Sequence, residues 1–399
     1  MISLDAARER VLAGCAQLAT RSVPVADALG LVLAQDVVAT EAIPPFPNTA
    51  MDGFAVRAAD TVAAPNTLEV VGTIAAGAAP DIEVGDGQAV RIMTGAPMPP
   101  GADAVIMVEL TEASSDGSSV EVRAEVPVGN HVRGAGEDVE VGQRVFVSGE
   151  VLGPGHLGVL CSLGIFDVAV VPRARVGVMS TGDELIEGPA RLAPGQIRDS
   201  NRRTLLSLVE QAGAEPIDLG LIRDDEAAIR DAIVGAVGRC DALITSGGVS
   251  MGDFDYVKKV LDEVGDMSWM QIAIKPAKPL AFGVVDDMPV FGLPGNPVSS
   301  MVSFELFARP GLRTLMGHAD VHRQPVVGVA AEPLHRRADG KTHFARVEVD
   351  YLDGEYRFRS AGGQGSHQLS AMAYADALAV LPDSEGIDTG DRVDLLLIE

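Results

Sequence analysis

The stretch that decides the fold runs from Asp241 to Ser300, and its informative segments are DALITSGGVSMGDFDYVKK (241–259), IAIKPAKPLAFG (272–283) and VFGLPGNPVSS (290–300). In each segment an apolar run of strand length leads directly into a loop of small and polar residues. In an open α/β sheet, such loops lie at the carboxyl ends of the strands, where ligands bind. The loops also carry two lysines and two aspartates, so we expect them to hold a charged small molecule.

The composition predicts a soluble protein of several domains. The chain has 399 residues, more than one hydrophobic core usually organises, and we expect about two to four domains. No apolar run reaches the roughly 18 residues of a transmembrane helix, and the N-terminus lacks the apolar core of a secretory signal. We therefore expect a cytoplasmic protein that does not associate with a membrane.

The charge balance is strongly acidic. The sequence holds 31 lysines and arginines against 56 aspartates and glutamates, a formal net charge of −25. Such a field repels nucleic acid and anionic membrane surfaces, so neither is expected as a partner. An anionic substrate would need a local cationic pocket, which makes the few clustered lysines informative. Three well-separated cysteines without a C-x-x-C pattern fit a reduced compartment.

The N-terminal part of the chain predicts two domains, one inserted in the other. Residues 1–43 and 140–172 are expected to form a discontinuous helical domain, in which a helix over 153–164 packs back on a first helix capped by Ser3. Between them, residues 44–139 contain short β-like runs separated by Gly, Pro and Asp turns. This pattern is typical of a small all-β domain.

The C-terminal part predicts an α/β domain followed by a β domain. Residues 173–318 alternate strands with helices, which implies a parallel, doubly wound sheet. In the predicted helix DFDYVKKVLDEVG (253–265), we expect Tyr256, Val257, Val260, Leu261 and Val264 on the buried face. Residues 319–399 return to β-like runs and predict a small closed barrel or sandwich. The predicted fold class is therefore multidomain, α/β plus all-β.

The loop TSGGVSMGD (245–253) has the features of an anion-binding turn. Gly247 and Gly248 permit positive φ, which lets backbone N–H groups converge, and the following helix adds a positive N-terminal end. A strand-to-helix turn without a ligand remains open as an alternative. The loop lacks the G-x-x-x-x-G-K-[ST] pattern of a P-loop and the G-x-G-x-x-G pattern of a dinucleotide site.

Three carboxylates are expected on the same edge of the sheet. Asp224 and Asp255 stand where a strand ends and a helix begins, and Glu184 follows another strand in STGDEL (180–185). Asp224 by itself is most simply explained as a helix N-cap. Two or three carboxylates together with substrate phosphates are also the usual way in which Mg²⁺ is held.

The segment KPAKP (275–279) favours an oxyanion site. Its prolines stiffen the chain, so Lys275 and Lys278 are presented with little loss of entropy. Surface lysines often only solvate the protein, and that alternative stays open. The turn GLPGNPVSS (292–300) brings Ser299 near a helix start, whereas a plain structural turn would explain it equally well.

Seven motifs together closely resemble the MoeA family of molybdopterin molybdenumtransferases, which are related to the C-terminal part of gephyrin. In chain order the motifs are PPFPNTAMDGFAV (44–56), RIMTGAPMPPGADAVIMVE (91–109), GEDV (136–139), STGDEL (180–185), SGGVSMGDFDYVK (246–258), IKPAKPLAFG (274–283) and GLPGNPVSS (292–300). They cover nearly the whole chain in the family's order. The resemblance implies a discontinuous helical domain, an inserted β domain, a molybdopterin-binding α/β domain and a C-terminal β domain.

The resemblance also implies a reaction and its partners. Such an enzyme takes adenylylated molybdopterin and molybdate, inserts molybdenum at the dithiolene and releases AMP, with Mg²⁺ required. It is expected to be a homodimer with the active site between subunits. Contacts with the molybdopterin adenylyltransferase and with recipient molybdoenzymes are expected as well.

Site residues follow from the resemblance, motif by motif. Asp224, Asp255 and Glu184 are expected to bind Mg²⁺ and, with Lys275, to be catalytic. The expected molybdate ligands are Lys275, Lys278, Ser299, Arg346 in HFAR (343–346) and Ser366 in GQGSH (363–367). The residues expected to contact pterin or phosphate are Gly247, Gly248, Ser250, Pro294, Pro297 and, from the β domain of the partner subunit, Asp52, Thr94, Arg133 and Asp138.

One position departs from the family pattern, and two other functions compete with the transferase. Gln271 stands where many relatives carry a lysine, so the preference between molybdate and tungstate stays open. A non-catalytic molybdopterin carrier would need no metal site, and the three carboxylates argue against it. A nucleotide-processing enzyme that shares only the α/β domain is disfavoured by the matches at 44–56, 91–99 and 133–139, which lie outside that domain. The DG and TG turns around Asp52 and Thr94 are, on spacing alone, ordinary turns.

Overall fold

The computed structural model describes residues 1–247 and 256–398. The fold class expected from the sequence, multidomain α/β plus all-β, is confirmed by the order of elements and by the sheets that they form. Within these residues, no helix is both long enough and apolar enough to cross a membrane.

The N-terminal helix, Leu4–Ala13, begins as the sequence predicts. The side-chain oxygen of Ser3 accepts a hydrogen bond from the Ala6 N–H at 3.2 Å, which satisfies one of the free donors of the first turn. The buried face of this helix belongs to the core of the α/β domain and packs beside the helix Arg309–Leu315. The expectation that it packs against the second helix is therefore wrong.

The second helix, Pro154–Ser162, lies in a small mixed core of its own. Leu160 packs there with Val25, Leu33 and Val170. The described strands of this sheet are Arg21–Pro24, Asp167–Val171 and Val32–Leu33. The two segments that flank the inserted domain thus pair through β-strands. These strands are rich in valine, whose branched side chain packs well in a sheet.

The inserted β domain is built on one sheet. Its described strands, in spatial order, are Ala104–Met107, Gly53–Val56, Gln88–Ile92, Asn66–Ile74, Ser119–Val122 and Thr111–Ala113. Asn66–Ile74 pairs with Gln88–Ile92 in parallel, and the other neighbours are antiparallel. The sheet buries apolar side chains on both faces, so this region has its own core.

The central sheet is mixed rather than purely parallel. Its described strands, in spatial order, are Glu215–Ile222, Arg175–Thr181, Ala242–Ser246, Met288–Leu293, Pro279–Val285 and Asp266–Gln271. The first four are parallel, as predicted, whereas Pro279–Val285 runs antiparallel to both of its neighbours, Met288–Leu293 and Asp266–Gln271. Asp286 and Asp287 both adopt positive φ, at 46° and 65°, in the turn between two of these strands. Such a two-residue turn forms a hairpin, which forces antiparallel pairing.

Helices cover both faces of this sheet. Asn201–Gln211, Pro297–Ser303 and Arg309–Leu315 contribute to the core on one face, and Glu226–Ala236 and Tyr256–Val264 to the core on the other. A π-helical turn, Phe304–Ala308, joins two of the helices on the first face. The prediction for Tyr256 is wrong, because its side chain is half exposed, whereas Val257 is buried.

The C-terminal domain closes into a barrel, as one of the two predicted alternatives has it. Its described strands, in spatial order, are Thr342–Leu352, Glu355–Ser360, Val326–Ala330, Arg392–Leu397 and Ala377–Leu381, which pairs back with the first. Ile274–Lys275 of the α/β domain adds to Thr342–Leu352 in parallel. A short helix, Leu369–Ala373, precedes the last barrel strands.

Short pairs complete the described strands. They are Asn48–Thr49 with Val132–Arg133, Val37–Val38 with Arg144–Phe146, Leu185–Ile186 with Ile197–Arg198, and Leu334–His335 with Gly386–Ile387. Single 3₁₀ turns occur at Val25–Asp27, Ala58–Thr61 and Val108–Leu110.

The linker between the α/β domain and the barrel passes through a group of arginines. The backbone N–H of His318 donates to the carbonyl of Arg313 at 3.0 Å, and Nδ1 of its half-buried ring has no hydrogen-bond partner among the described residues. Burial, together with the charges of Arg313 and Arg309, lowers the pKa of His318 to about 4. His318 is therefore neutral in the folded protein at neutral pH.

We predict an acid sensitivity that comes from His318. Between the ordinary pKa of 6.5 and about 4, the unfolded chain binds a proton that the folded chain excludes, so stability falls as the pH drops through this window. In His318→Gln, the decline of Tm between pH 6.5 and 4 should become shallower, as measured by calorimetry. His367→Gln, on an exposed loop, is the control, and equal slopes in both variants would contradict the prediction.

Candidate active site at the carboxyl edge of the central sheet

A cavity of about 420 Å³ opens where the parallel strands of the central sheet end. Its described lining is Ser180, Thr181, Glu184, Leu185, Ile197, Arg198, Asp199, Ser200, Asn201, Ser246, Gly247, Gly295, Asn296 and Pro297. The predicted site residues Glu184, Gly247 and Pro297 thus line one cavity. Pro294 is buried immediately before the loop that contributes Gly295. The position agrees with the general rule that ligands of open α/β sheets bind at the carboxyl ends of strands.

Gly247 has to be glycine at this edge. Its φ is +92°, and a Cβ atom would lie 3.2 Å from the carbonyl oxygen of Thr181. Its N–H donates to the carbonyl of Leu293 at 3.1 Å, which ties the strand end to the loop that precedes Ser299. Gly248, Ser250 and Asp255, which the sequence also singled out, lie outside the described residues.

Asn201 is a site residue that the sequence reasoning missed. Its side-chain amide donates to Ser246 Oγ at 2.9 Å and to the carbonyl of Gly295 at 2.7 Å. One side chain therefore fixes two of the loops that line the cavity. The signal that could have identified it is DSN (199–201), three polar residues directly before a helix at a strand edge.

Asp199 stabilises the same part of the cavity lining as Asn201. Its buried carboxylate accepts hydrogen bonds from Ser180 Oγ at 3.1 Å and from Arg202 Nε at 3.1 Å. Arg202 also pairs with Asp218 and Glu187, so its buried guanidinium is fully compensated by acids. This network makes the cavity wall rigid, because breaking one member would leave a buried charge without a partner.

The described carboxylates at this edge come from neighbouring strands. Thr181 pairs with Ile222, so the segments that carry Glu184 and Asp224 leave the sheet side by side, and the Asp224 N–H lies 3.4 Å from Asp183 Oδ1. The N-cap interpretation of Asp224 is wrong. Asp225 caps the helix instead, since its side chain accepts from the Ala228 N–H at 2.9 Å.

The described part of the site does not by itself form a metal centre. Within residues 1–247 and 256–398, no group of three or more His, Cys, Asp or Glu side chains is arranged to hold a metal ion. Glu184 and Asp224 offer exposed carboxylate oxygens, which are the ligands that Mg²⁺ prefers. The chemistry of these donors therefore fits Mg²⁺, and further ligands would have to come from elsewhere.

Arg346 is a fully buried cation at the junction of the barrel and the α/β domain. Along its strand, Phe344 belongs to the core of the α/β domain, whereas Ala345 and Val347 belong to the barrel core. Because side chains alternate along a strand, Arg346 lies on the side of Phe344 and faces the junction. Its backbone is held by Gln364, whose amide accepts from the Arg346 N–H and donates to its carbonyl, both at 2.9 Å.

Among the described residues, no acidic side chain pairs with the guanidinium of Arg346. Nη2 donates to the carbonyls of Gly363 and Gly365 at 2.7 and 3.3 Å. In the part of the chain that the structure describes, Nε and Nη1 have no hydrogen-bond partner. Burial lowers the pKa of the Arg346 guanidinium from its ordinary value. A buried charge without compensation is costly, so this arrangement calls for an anionic ligand.

Ser299 and Ser366 meet at the same junction from opposite sides. Ser299 is buried in the helix Pro297–Ser303 of the α/β domain. The loop that carries Ser366 docks on the start of that helix, because the Ser366 carbonyl accepts from the Val298 N–H at 3.2 Å and Ser366 Oγ accepts from Asn296 Nδ2 at 3.3 Å. The loop of Ser366 thus contacts the start of the helix that carries Ser299, and their common pocket stays a prediction.

Lys275 and Lys278 are both exposed. Lys275 pairs with His343 of the barrel and lines a second cavity of about 430 Å³. Gln364, which holds the backbone of Arg346, lines this cavity too, so the two predicted molybdate ligands Lys275 and Arg346 share a neighbour. The carbonyl of Lys278 accepts from the Ile272 N–H at 2.8 Å, which closes the KPAKP loop.

The four predicted residues of the β domain are not among the described residues that line either cavity. Asp52 accepts hydrogen bonds from the Thr94 N–H at 2.7 Å and Thr94 Oγ1 at 2.8 Å, which lower the pKa of the Asp52 carboxyl. Arg133 and Asp138 are exposed; Arg133 pairs with Asn48, and the Asp138 N–H donates to the carbonyl of Ile43 at 2.9 Å. Within a single chain, these four residues therefore line neither of the two cavities described above.

Comparisons with known proteins agree on one family. Three family models match, namely the MoeA N-terminal region (domain I and II) over residues 2–164, a probable molybdopterin binding domain over 177–314, and the MoeA C-terminal region (domain IV) over 328–398. The molybdopterin molybdenumtransferase of Haemophilus influenzae is 39% identical over 398 residues, 98% of each chain. That of Bacillus subtilis is 36% identical over 409 aligned residues, 100% of this chain and 94% of the relative. The crystal structure of the molybdopterin biosynthesis MoeA protein from Pyrococcus horikoshii OT3 covers 100% of both chains with a TM-score of 0.84 at 30% identity.

We predict that Asn201 stabilises the cavity wall. Asn201→Asp keeps the size of the side chain but removes both donors, so the variant should lose about 1–3 kcal/mol of unfolding free energy, as measured by urea denaturation. Ser207→Ala is the control, because it removes an exposed hydroxyl from the same helix. Equal stability of the two variants would contradict the bridging role of Asn201.

Proposed function

The chain belongs to the MoeA family of molybdopterin molybdenumtransferases, and from this premise we propose that it inserts molybdenum from molybdate into adenylylated molybdopterin with Mg²⁺-dependent release of AMP. As a member of this family it is an enzyme, a transferase of molybdenum cofactor biosynthesis, and it acts on a molybdopterin-related substrate. We further propose that it works in the cytoplasm as a homodimer. The molybdopterin adenylyltransferase and recipient molybdoenzymes are the proposed partners for receiving substrate and passing on product.

The observation that carries the proposal is the unpaired guanidinium of Arg346. It is fully buried, and two of its three nitrogens lack a partner among the described residues. A tetrahedral dianion such as molybdate could accept from Nε or from Nη1, in a charge-assisted hydrogen bond. Binding of the anion would therefore compensate a charge that the fold alone leaves costly.

Neighbouring groups are suited to the same anion. Ser299 and Ser366 come from opposite sides of the junction, and each offers a hydroxyl donor. Lys275 and Lys278 add two positive charges in a protein of net charge −25, which would attract an oxyanion that the rest of the surface repels. We propose that these five side chains form the molybdate site, with Lys275 also acting in the reaction.

The cavity at the sheet edge would hold the phosphate and pterin of the second substrate. The Gly247 backbone supports this role, because its positive φ and its lack of a Cβ allow a phosphate to approach closely. Gly248, Ser250, Pro294 and Pro297 are proposed to line the same substrate. Glu184, Asp224 and Asp255 would hold Mg²⁺, which when bound supplies positive charge to the phosphate oxygens.

A second subunit is proposed to complete the site. Asp52, Thr94, Arg133 and Asp138 would contact the pterin or phosphate of the partner subunit's substrate. The proposal is supported by their exposure and by the fact that they are not among the described residues that line either cavity of their own chain. The hydrogen bonds between Thr94 and Asp52 would keep that carboxylate ionised and oriented.

The test of the reaction is AMP release from adenylylated molybdopterin, measured with Mg²⁺ in the presence and absence of molybdate, with tungstate in parallel. We expect release to depend on the oxyanion and to yield active cofactor. Tight binding of the pterin without oxyanion-dependent release would overturn the transferase and indicate a carrier. Comparing AMP release with tungstate and with molybdate measures how selective the site is for molybdate when Gln271 replaces the usual lysine.

Arg346 should bind substrate at the expense of stability. In Arg346→Met a side chain of similar length replaces a buried charge, so the Tm should be unchanged or higher, whereas molybdate affinity should fall on the order of a hundredfold. Calorimetric titration with molybdate and a thermal melt measure the two effects. Arg359→Gln, which alters exposed ion pairs of the barrel, is the control. A variant with a lowered Tm and an unchanged molybdate affinity would show that Arg346 is structural.

Asp224 should act through Mg²⁺ and not through the fold. In Asp224→Asn, the Mg²⁺ concentration for half-maximal AMP release should rise on the order of tenfold, because one charged ligand becomes neutral. Asp225→Asn is a matched control, since it makes the same change one residue away and asparagine caps helices as well as aspartate does. Identical Mg²⁺ dependence of the two variants would exclude Asp224 as a ligand.

A further inference from the structure

A second buried ion pair lies away from both cavities and has no role in the reaction proposed above. Glu305 is in the π-helical turn Phe304–Ala308, and its side chain is 4% exposed. Arg323 is in the linker that leads to the barrel. Its Nε donates to one Glu305 oxygen at 2.7 Å and its Nη2 to the other at 3.4 Å, so the pair has the two-pronged geometry of a strong interaction.

Arg323 also contacts the barrel itself. Nη2 donates to the carbonyl of Ile398 at 3.1 Å, immediately after the last barrel strand, Arg392–Leu397. The first barrel strand begins at Val326, three residues after Arg323. One guanidinium therefore links the α/β domain to the first and last strands of the barrel.

The two ends of this link lead to the two halves of the proposed molybdate site. On one side, Glu305 belongs to the same continuous helical stretch as Ser299. On the other, Arg392–Leu397 pairs with Ala377–Leu381, which pairs with the strand of Arg346. A shift of the linker would thus be transmitted through hydrogen-bonded strands to the position of Arg346 relative to Ser299.

The surroundings make the carboxylate of Glu305 necessary for keeping the linker in place. Arg309 lies 4.0 Å from the Glu305 carboxylate and donates to the carbonyl of Val321, and Arg313 donates to the carbonyl of Asp320 at 3.0 Å. Burial and the charge of Arg323 lower the pKa of Arg309 to about 10, which reflects this crowding of cations. Without Glu305 the arginines would repel one another across the linker.

The π turn gives the pair its buried position. All five residues of Phe304–Ala308 are buried, and Glu305 lies among apolar side chains of the α/β core. Such turns are rare within helices and often mark functional positions. A carboxylate in this environment is retained against a desolvation cost, and an apolar residue would fill the space as well.

We propose that Glu305 and Arg323 are positioning residues, a latch that holds the barrel against the α/β domain so that Arg346 and Ser299 bind one oxyanion. This inference rests on the proposed function for its kinetic consequence. The latch itself is a property of the fold, and its effect on the linker can be measured without any substrate.

The test uses the full-length protein with Glu305→Gln, Arg323→Gln and the double variant. Each should raise the KM for molybdate on the order of tenfold or more, because a small misplacement of a binding group is costly, while the KM for adenylylated molybdopterin changes less than about threefold. The double variant should resemble the single ones, since the two residues act as a unit. Arg323→Lys, which keeps the charge but loses the fork, should recover part of the affinity.

Hydrogen exchange supplies the readout that does not depend on activity. In the three glutamine variants, residues 316–325 and the strand Arg392–Leu397 should exchange faster than in the unaltered protein, and Arg359→Gln should leave both unchanged. Faster exchange with an unaltered molybdate KM, or an equal loss for both substrates, would overturn the positioning role. If the unaltered protein releases no AMP in response to molybdate, the proposed reaction fails, and unchanged exchange in the variants would separately overturn the latch.

Discussion

The structure depends on one hydrophobic core that three distant parts of the chain share. The N-terminal helix supplies Ala7 and Val11, the α/β domain supplies Phe291 and Phe304, and the barrel supplies Phe344, Leu378 and Met372. Each contributor would expose an apolar face if it moved away, so burial of this surface fixes the barrel and the α/β domain against each other. The proposed molybdate site spans that contact, since Ser299 belongs to the α/β domain and Arg346 to the barrel.

Polar contacts then fix the positions of the site residues more closely than apolar packing does. At the junction, Gln364 holds the backbone of Arg346, and the Ser366 loop docks on Asn296 and Val298. At the sheet edge, Asn201 and Asp199 perform the same task for the loops around Gly247. The fold therefore compensates nearly every buried charge near the site with an acid or an amide. Arg346 differs from Arg202. Three acids compensate the charge of Arg202, whereas Nε and Nη1 of Arg346 have no partner among the described residues, and this difference points to a ligand.

The comparison of sequence and structure shows which inferences were physically safe. Strand-to-loop transitions predicted the cavity edge correctly, because parallel strands bring their carboxyl ends together in any doubly wound sheet. The expected all-parallel order was wrong for Pro279–Val285, since two aspartates with positive φ form a hairpin that hydrophobic patterning does not reveal. The pairing of Asp266–Gln271 with this reversed strand is antiparallel in consequence. The N-cap is Asp225 and not Asp224. Which of two adjacent aspartates caps a helix depends on the local dihedral angles, and the sequence pattern does not determine these to within one residue.

The sequence by itself determined the family and the order of element types, and it nominated most of the candidate site residues, because motif spacing and periodicity are local properties of the chain. Tertiary structure alone decided that the first helix packs on the α/β core and that Asn201 joins two loops. It also decided that Arg346 is buried with no acid beside it in the described part of the chain, and that Arg323 links two domains through Glu305. The physical reason is that burial and charge compensation depend on partners far away in the chain. The sequence alone does not indicate whether the charge of an arginine will be solvated, paired with a carboxylate, or buried where an anion could bind.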